Sequence, residues 1–378
     1  MPGRIKIAFV VNKLSTGGVQ SLLSSYYRVV DKSHFDIHFV TCETGIGSDA
    51  DAIKAEGGRV IEAGSLSNPV SYVAKCRRLF EVEGYDIVQA CMNSLNVFPL
   101  AAARLAKTPV RISYNLSASH PGENNTIAKT VLRKFGRTFA TDCAANSALS
   151  WDWLFGAPHP GEKRSIIPNS LDVKSFQFDP RARKNIRHDL GLEDCYVIGH
   201  IGRYEYQKNH DFLVDVFDAA HRRNRNARLV LVGYGALKEK VFEKIRDRGL
   251  SPYVTDLGAT REIAKLYSCF DCFMLPSFYE GMPVVGLEAQ AASCPCVFSD
   301  EVTEETRVSD RTLFLPLDAS PDEWAETVLG FGSISRPDSE KGRKIDKFDA
   351  TTLGRRLEKY YEQLVQASVS ERTDEIVF

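Results

Sequence analysis

Three loops of this 378-residue chain carry side chains whose types and spacing suit an anionic, hydroxyl-rich ligand. One is Gly202-Arg203-Tyr204-Glu205-Tyr206-Gln207-Lys208-Asn209-His210, between a strand-like and a helix-like run. Arginine offers a planar fork and lysine a point charge, so Arg203 and Lys208 together suit a diphosphate; the other reading is a solvated connection. The second loop is Leu275-Pro276-Ser277-Phe278-Tyr279-Glu280-Gly281-Met282-Pro283, running into a helix that carries Glu288. Pro283 suits the first helical position, where its missing N–H costs nothing, and Gly281 leaves the backbone open. Glu288 falls about one and a half turns in, roughly 8 Å past the helix start. Carboxylates accept hydrogen bonds from vicinal hydroxyls, so Glu280 and Glu288 suit a ribose and a sugar at two ends of one ligand. The neighbours of Glu288 (VVGLEAQAA) are nearly all apolar or small, so its carboxylate needs a partner. The third loop places Gly17 and Gly18 before a helix, either for close approach to a ligand or as a tight turn. The G-x-G-x-x-G of a dinucleotide site is absent there, which disfavours a dehydrogenase.

Other groups lead away from metal chemistry. Cys269-x2-Cys272 and Cys294-x-Cys296 have a superficial zinc-like spacing, but they open or flank apolar strand runs without a knuckle glycine. They read as small buried hydrophobes among nine reduced cysteines. The Asp-x-Asp triplet Asp49-Ala50-Asp51 opens a helical stretch, where acidic residues serve as cap and first-turn charges. Lys plus Arg total 48 and Asp plus Glu 49, so a net charge of −1 argues against a general nucleic-acid binder. No apolar run is long enough to span a membrane, and the start lacks the pattern of a secretory signal. The expected location is therefore the cytoplasm.

Two alternating patterns position these loops. Strand-like runs at 5–12, 35–42, 59–63, 85–91, 110–115 and 142–146 alternate with helical stretches near 18–31, 49–57, 69–83, 95–107 and 124–140. Strands near 196–201, 228–233, 254–258, 272–276, 295–299 and 312–316 alternate with helices near 209–224, 236–249, 261–270 and 284–292. Short β-branched runs separated by helical lengths imply parallel strands with right-handed crossovers. The expected fold class is α/β, two doubly wound Rossmann-like domains facing across a cleft, with ligand loops at the carboxyl ends of the strands. The expected bounds are 1–168, 169–349, and a final helix and tail at 350–378.

Glu280-Gly281-Met282-Pro283 with Glu288 resembles the E-x7-E motif of family 4 glycosyltransferases, which have the GT-B fold. The Gly202-Arg203 to Lys208 loop, the Gly17-Gly18 pair and Ile167-Pro168-Asn169 resemble the same family in order and position. LPSFYEGMPVVGLEAQAA and RKFGRTFATDCAANSALSWDWLFG (133–156) are most similar to its exopolysaccharide and capsule subset, and the resemblance spans about residues 5–367. It implies a retaining hexosyltransferase moving sugar from a UDP- or GDP-linked donor to a saccharide or lipid-linked acceptor. In that frame the first domain serves the acceptor and the second the donor. Glu288 would bind the ribose and Glu280 the sugar hydroxyls, with backbone N–H groups near Gly281, Met282 and Pro283 assisting. Arg203 and Lys208 would neutralise the departing diphosphate in place of a divalent ion, so the expectation is a metal-independent enzyme without a cofactor. Gly17 and Gly18 would leave space for the diphosphate or acceptor, and the final helix would cross back to brace the first domain. The rivals are a nucleotide-sugar epimerase of the same fold and a non-catalytic sugar or nucleotide binder.

Some positions depart from the family pattern. Tyr114 and Leu116 stand where members of the subset often carry histidines, and Ser293 stands where glycine is usual. His120 either takes the sugar-contacting role or is a solvated loop histidine. The stretch 126–140 sets Lys129, Arg133 and Arg137 four apart among apolar residues, with Lys134 beside them. A basic amphipathic helix of this kind suits either peripheral contact with the inner membrane face or an ordinary surface.

Overall fold

Short runs of Val, Ile and Phe bounded by helical lengths become parallel strands in two separate sheets. The computed structural model describes residues 3–14, 18–43, 48–117, 126–260, 262–332, 336 and 344–374. The first sheet holds β1 (Ile5–Lys13), β2 (Phe35–Glu43), β3 (Arg59–Glu62), β4 (Ile87–Ala90), β5 (Val110–Asn115) and β6 (Asp142–Ala145), ordered β3-β2-β1-β4-β5-β6. The second holds β7 (Tyr196–Ile201), β8 (Ala227–Val232), β9 (Val254–Asp256), β10 (Cys272–Leu275), β11 (Cys296–Ser299) and β12 (Thr312–Leu315), ordered β12-β11-β10-β7-β8-β9. Both sheets share one doubly wound topology, and the chain reverses direction across the sheet at β1/β4 and at β7/β10. Ligands in such sheets bind beyond the carboxyl ends of the strands flanking the reversal. β7 ends at Ile201 and β10 at Leu275, so the loops bearing Lys208 and Glu280 leave neighbouring strands.

The described residues up to Ser170 and from Ala350 onward form one compact unit, and those of Leu171–Asp349 form the other. The final helix, Ala350–Asp374, packs on the first sheet. Its buried Tyr361 donates to Gln89 at 2.8 Å and meets the Phe9 ring. In the second unit the two-residue strand period divides the core. Ile198, Leu229, Leu231 and Met274 join Phe217 and Trp324 in one cluster, while Val230, Phe273 and Phe298 join Tyr267 and Phe270 in another. No helix among the described residues is long and apolar enough to cross a membrane.

Several expectations need correction. The helix foreseen at 124–140 is Thr126–Arg133, followed by tight turns in which Lys134, Phe135 and Gly136 bond three residues back. Arg137 therefore leaves the common face of Lys129 and Arg133; it pairs with Glu162 at 2.5 Å and lies over the Trp151 and Phe155 rings. Helices Ala148–Phe155, Pro180–Asp189 and Pro321–Gly330 were not legible as apolar stripes. The first is apolar apart from Ser150 and the exposed Asp152, and the second is highly charged. The third opens with a capping box, Ser320 to Glu323, whose spacing is readable in the sequence. Asp51 is exposed near the start of the helix Ser48–Ala55. Among the described residues the nine cysteines are free, with Cys269, Cys272, Cys294 and Cys296 buried in the core. Ser293 holds a positive φ of 52°, which explains why glycine suits that turn.

Gly199, in the middle of β7, lies against Phe270: a Cβ built there would sit 2.2 Å from the ring. Phe270 is fully buried and contacts Tyr267, so it has little room to retreat. Gly199→Ala should destabilise the protein by about 1–3 kcal/mol through overpacking. A urea midpoint unchanged from wild type would show that the strand absorbs the methyl group.

Candidate functional site

The loop after β7 is fixed by its own backbone. Gly202 N–H donates to the Val232 carbonyl at 3.0 Å, and Tyr204 N–H donates to Tyr234 at 2.8 Å. The glycines after β8 permit this contact. A Cβ at Gly233 would fall 1.9 Å from the Gly202 carbonyl oxygen, and one at Gly235 would fall 2.6 Å from that of Tyr204. A 3-10 turn, Tyr206–Lys208, then ends at Asn209, whose left-handed backbone (φ 52°) starts the helix His210–Arg223. The loop after β10 lies alongside: Phe278 N–H donates to Gln207, the Gln207 side chain donates to the Tyr279 carbonyl at 3.0 Å, and the Tyr206 and Phe278 rings stack at 4.6 Å.

These contacts bring the predicted residues together unevenly. Lys208 Nζ lies 2.6 Å from Glu280 Oε1, and Ser277 Oγ donates to the same oxygen at 3.2 Å. Arg203 does not join this pair: it is 49% exposed and pairs with Glu205 at 2.7 Å. Gly281, Met282 and Pro283 are buried, and Pro283 is the residue before helix Val284–Ala291, one place earlier than the sequence suggested. Gly18 begins the helix Gly18–Val29 after β1, while Gly17 and His120 lie outside the described residues. Tyr114 is a tie: its hydroxyl donates to the Ile167 carbonyl at 2.7 Å. Leu116 is buried.

Glu288 has the partner its apolar helix demands. Tyr267 Oη donates to Oε2 at 2.7 Å from the helix Ile263–Cys269. The residue keeps some surface, yet protein fills the volume around its carboxyl, and that desolvation raises its pKa to about 7 against the opposing pulls of Tyr267 and Lys208. Beneath the loop, buried His200 donates through Nδ1 to the Met274 carbonyl at 2.9 Å, and burial lowers its pKa to about 3. His210, stacked on Tyr204, is lowered by burial as well. Both are neutral near pH 7, so they add no cation below Lys208. Tyr267, Ser277, Gly233 and Gly235 escaped the sequence reading. Ser277 stands three residues before Glu280 and Gly233-Tyr234-Gly235 is a visible glycine pair, whereas Tyr267 has no local signal. Converging loops with one cation and two carboxylates, one titrating near neutrality, suit an anionic ligand bearing hydroxyls.

Residues 195–331 match the family model described as Glycosyl transferases group 1. A Bacillus subtilis protein named "Putative glycosyltransferase EpsF" is 32% identical over 349 residues, 89% of this chain and 90% of that protein. The Escherichia coli UDP-Gal:alpha-D-GlcNAc-diphosphoundecaprenol alpha-1,3-galactosyltransferase is 26% identical, covering 79% of this chain and 80% of its own. The structure of Anabaena HepE in complex with UDP and glucose matches with a TM-score of 0.78 and 18% identity, over 95% of this chain and 100% of that one. The fold is that of the GT-B proteins.

The raised pKa of Glu288 has a consequence that needs no ligand. A carboxyl that binds its proton more tightly when folded imposes no cost below its ordinary value of 4.5, a growing cost as pH rises towards 7, and its full cost above that. Glu288→Gln keeps an acceptor for Tyr267 without the charge, so it should stabilise the protein by on the order of 2 kcal/mol near pH 8 and by almost nothing below pH 5. Thermal midpoints at both pH values check this; equal stability at pH 8 would mean that the carboxylate is well solvated.

Proposed function

From the premise that the chain belongs to the group 1 glycosyltransferases, we propose that it transfers a hexosyl group from a UDP- or GDP-linked donor to a saccharide or lipid-linked saccharide acceptor. The product is a cell-surface polysaccharide or its precursor, formed with retention at the anomeric carbon. The observation that carries the reading is the convergence of Lys208, Glu280 and Glu288 beyond β7 and β10. A nucleotide sugar is long enough to use all three. Its ribose would lie at Glu288, its diphosphate at Lys208, and its sugar at Glu280 with the backbone around Gly281, Met282 and Pro283. Relatives support the ligand class: the Escherichia coli enzyme is named for a UDP-galactose donor and a diphosphoundecaprenol-linked acceptor, and HepE is described with UDP and glucose.

Transfer breaks the bond between the anomeric carbon and a phosphate oxygen, and negative charge grows on the diphosphate as that bond lengthens. A fixed cation facing this charge stabilises the transition state more than the ground state. Lys208 is held for that task by a short turn and is only 13% exposed. Arg203 would join it by releasing Glu205, an exposed partner that holds it weakly. With that positive charge supplied by side chains, the reaction would run without a divalent ion. A membrane-borne acceptor is consistent with the exposed Val131, Phe135 and Leu149, of which Val131 and Phe135 lie near the cations Arg133 and Lys134.

A thermal-shift panel of nucleotide sugars identifies the donor, because a ligand stabilises the folded state in proportion to its affinity. Turnover should require acceptor, and the anomeric proton coupling of the product should match that of the donor. Donor conversion without acceptor would establish an epimerase; binding without turnover would establish a binder. Lys208→Ala should lower kcat/KM by about 10²–10³, and a folded variant within about threefold of wild type would remove Lys208 from the diphosphate. EDTA should leave the rate unchanged; loss reversed by magnesium or manganese would overturn metal independence.

A further inference from the structure

Lys208 and Glu280 have different tasks in the proposed function, yet they are bonded to each other. Nζ lies 2.6 Å from Oε1, with the two side chains only 13% and 9% exposed. Ser277 Oγ adds a bond to that same carboxylate oxygen. A phosphate oxygen approaching Lys208 therefore competes with a carboxylate of its own sign, where little water is present to screen the two charges.

We propose that Glu280 discriminates between the sugar-loaded nucleotide and the spent nucleoside diphosphate by reclaiming Lys208 once the sugar has left. This inference rests on the proposed reading of the site. With a nucleotide sugar bound, sugar hydroxyls donate to Glu280 and offset the loss of its lysine. With the nucleoside diphosphate alone, no hydroxyl takes that place. Occupying Lys208 then strands a nearly buried carboxylate beside the phosphate charge, and such a stranded charge is costly. Glu280 thus weakens the product selectively and hastens its departure, a step that limits many enzymes. The coupling is reciprocal by linkage: a sugar held by Glu280 frees Lys208 and raises the affinity for the diphosphate, and the converse holds equally.

Calorimetry with UDP and GDP on the wild type, Glu280→Gln and Lys208→Ala tests this. The nucleotide that binds the wild type should bind Glu280→Gln more tightly. The ratio of donor affinity to diphosphate affinity should fall about fivefold or more, the lower end of typical coupling between sites. Product inhibition should strengthen in step. Unchanged or weaker diphosphate binding by a folded Glu280→Gln overturns the proposal. Should that variant not fold, the wild type decides: the free monosaccharide of the donor, at saturation, should tighten diphosphate binding severalfold, and the absence of any tightening overturns the proposal. Lys208→Ala separates the two levels. If it binds diphosphate and donor as the wild type does, the reading of the loop itself fails. If it binds diphosphate less tightly while Glu280→Gln is unchanged, only the discrimination fails.

Discussion

The second unit depends on the side-by-side pairing of β7 and β10, set by Ile198 opposite Cys272 and Gly199 opposite Phe273. These strands are distant in sequence, and the missing side chain at Gly199 makes room for Phe270, two residues ahead of β10. Phe270 fills that space and in turn braces Tyr267, whose hydroxyl holds Glu288. One close approach in the core thus connects β7 to the phenol that holds the carboxylate of the helix after β10. The loop after β8 completes the support, since its glycines let two backbones approach closely enough to hydrogen-bond.

Opposite ends of the same strands treat buried charge differently. At the start of β10, Asp271 accepts from Arg183 and Arg187, both at 2.5 Å, and from Val197 N–H at 2.8 Å. The two arginines spend further N–H groups on the carbonyls of Ser268, Cys269, Phe270 and Cys195. A network satisfied on this scale resists rearrangement, because any change would leave a charge alone in low dielectric. At the carboxyl ends, Lys208 and Glu280 share one ion pair supplemented by one hydroxyl, and Glu288 is held by one phenol. Sparse partners leave these groups able to exchange them for a ligand's. The cost appears as the raised pKa of Glu288, a stability penalty that this carboxylate imposes above its ordinary titration range.

The legible parts of the sequence were those written in local spacing. Strand and helix alternation gave both sheets, and the eight-residue interval from Glu280 to Glu288 across Pro283 placed two carboxylates on one loop and helix. The need for a partner to Glu288 was also readable, since seven of its neighbours offered none, but the identity of Tyr267 was not. That contact spans 21 residues and depends on how one helix packs on another. Helix Pro180–Asp189 was illegible for a related reason. Of its two buried residues, Ala182 is small and Arg187 is charged, and the burial of Arg187 makes sense only once Asp271 and distant carbonyls surround it. Arg203 shows the opposite limit: spacing put it with Lys208, while the 3-10 turn directs only Lys208 towards Glu280.

The first unit has the same topology but different chemistry at its strand ends, and this contrast bears on how the two units divide their tasks. Among the described residues beyond β4, β5 and β6, neutral amides and hydroxyls make the buried polar contacts. Asn96 donates to Ser113 Oγ and to the Tyr114 carbonyl, both at 3.1 Å; Asn115 donates to the Ser150 carbonyl at 2.5 Å; and Asn146 donates to the Leu116 carbonyl at 2.9 Å. Such groups hold loop backbone in place and present dipoles, which suit uncharged hydroxylated ligands better than they suit a diphosphate. A diphosphate leaving group needs fixed positive charge near the breaking bond, and among the described strand ends the β7 loop of the second unit carries a largely buried cation, Lys208. In the proposed function this contrast favours the second unit for the charged donor and the first for the hydroxyl-bearing end of an acceptor, because a diphosphate gains more from a largely buried cation than from amide dipoles.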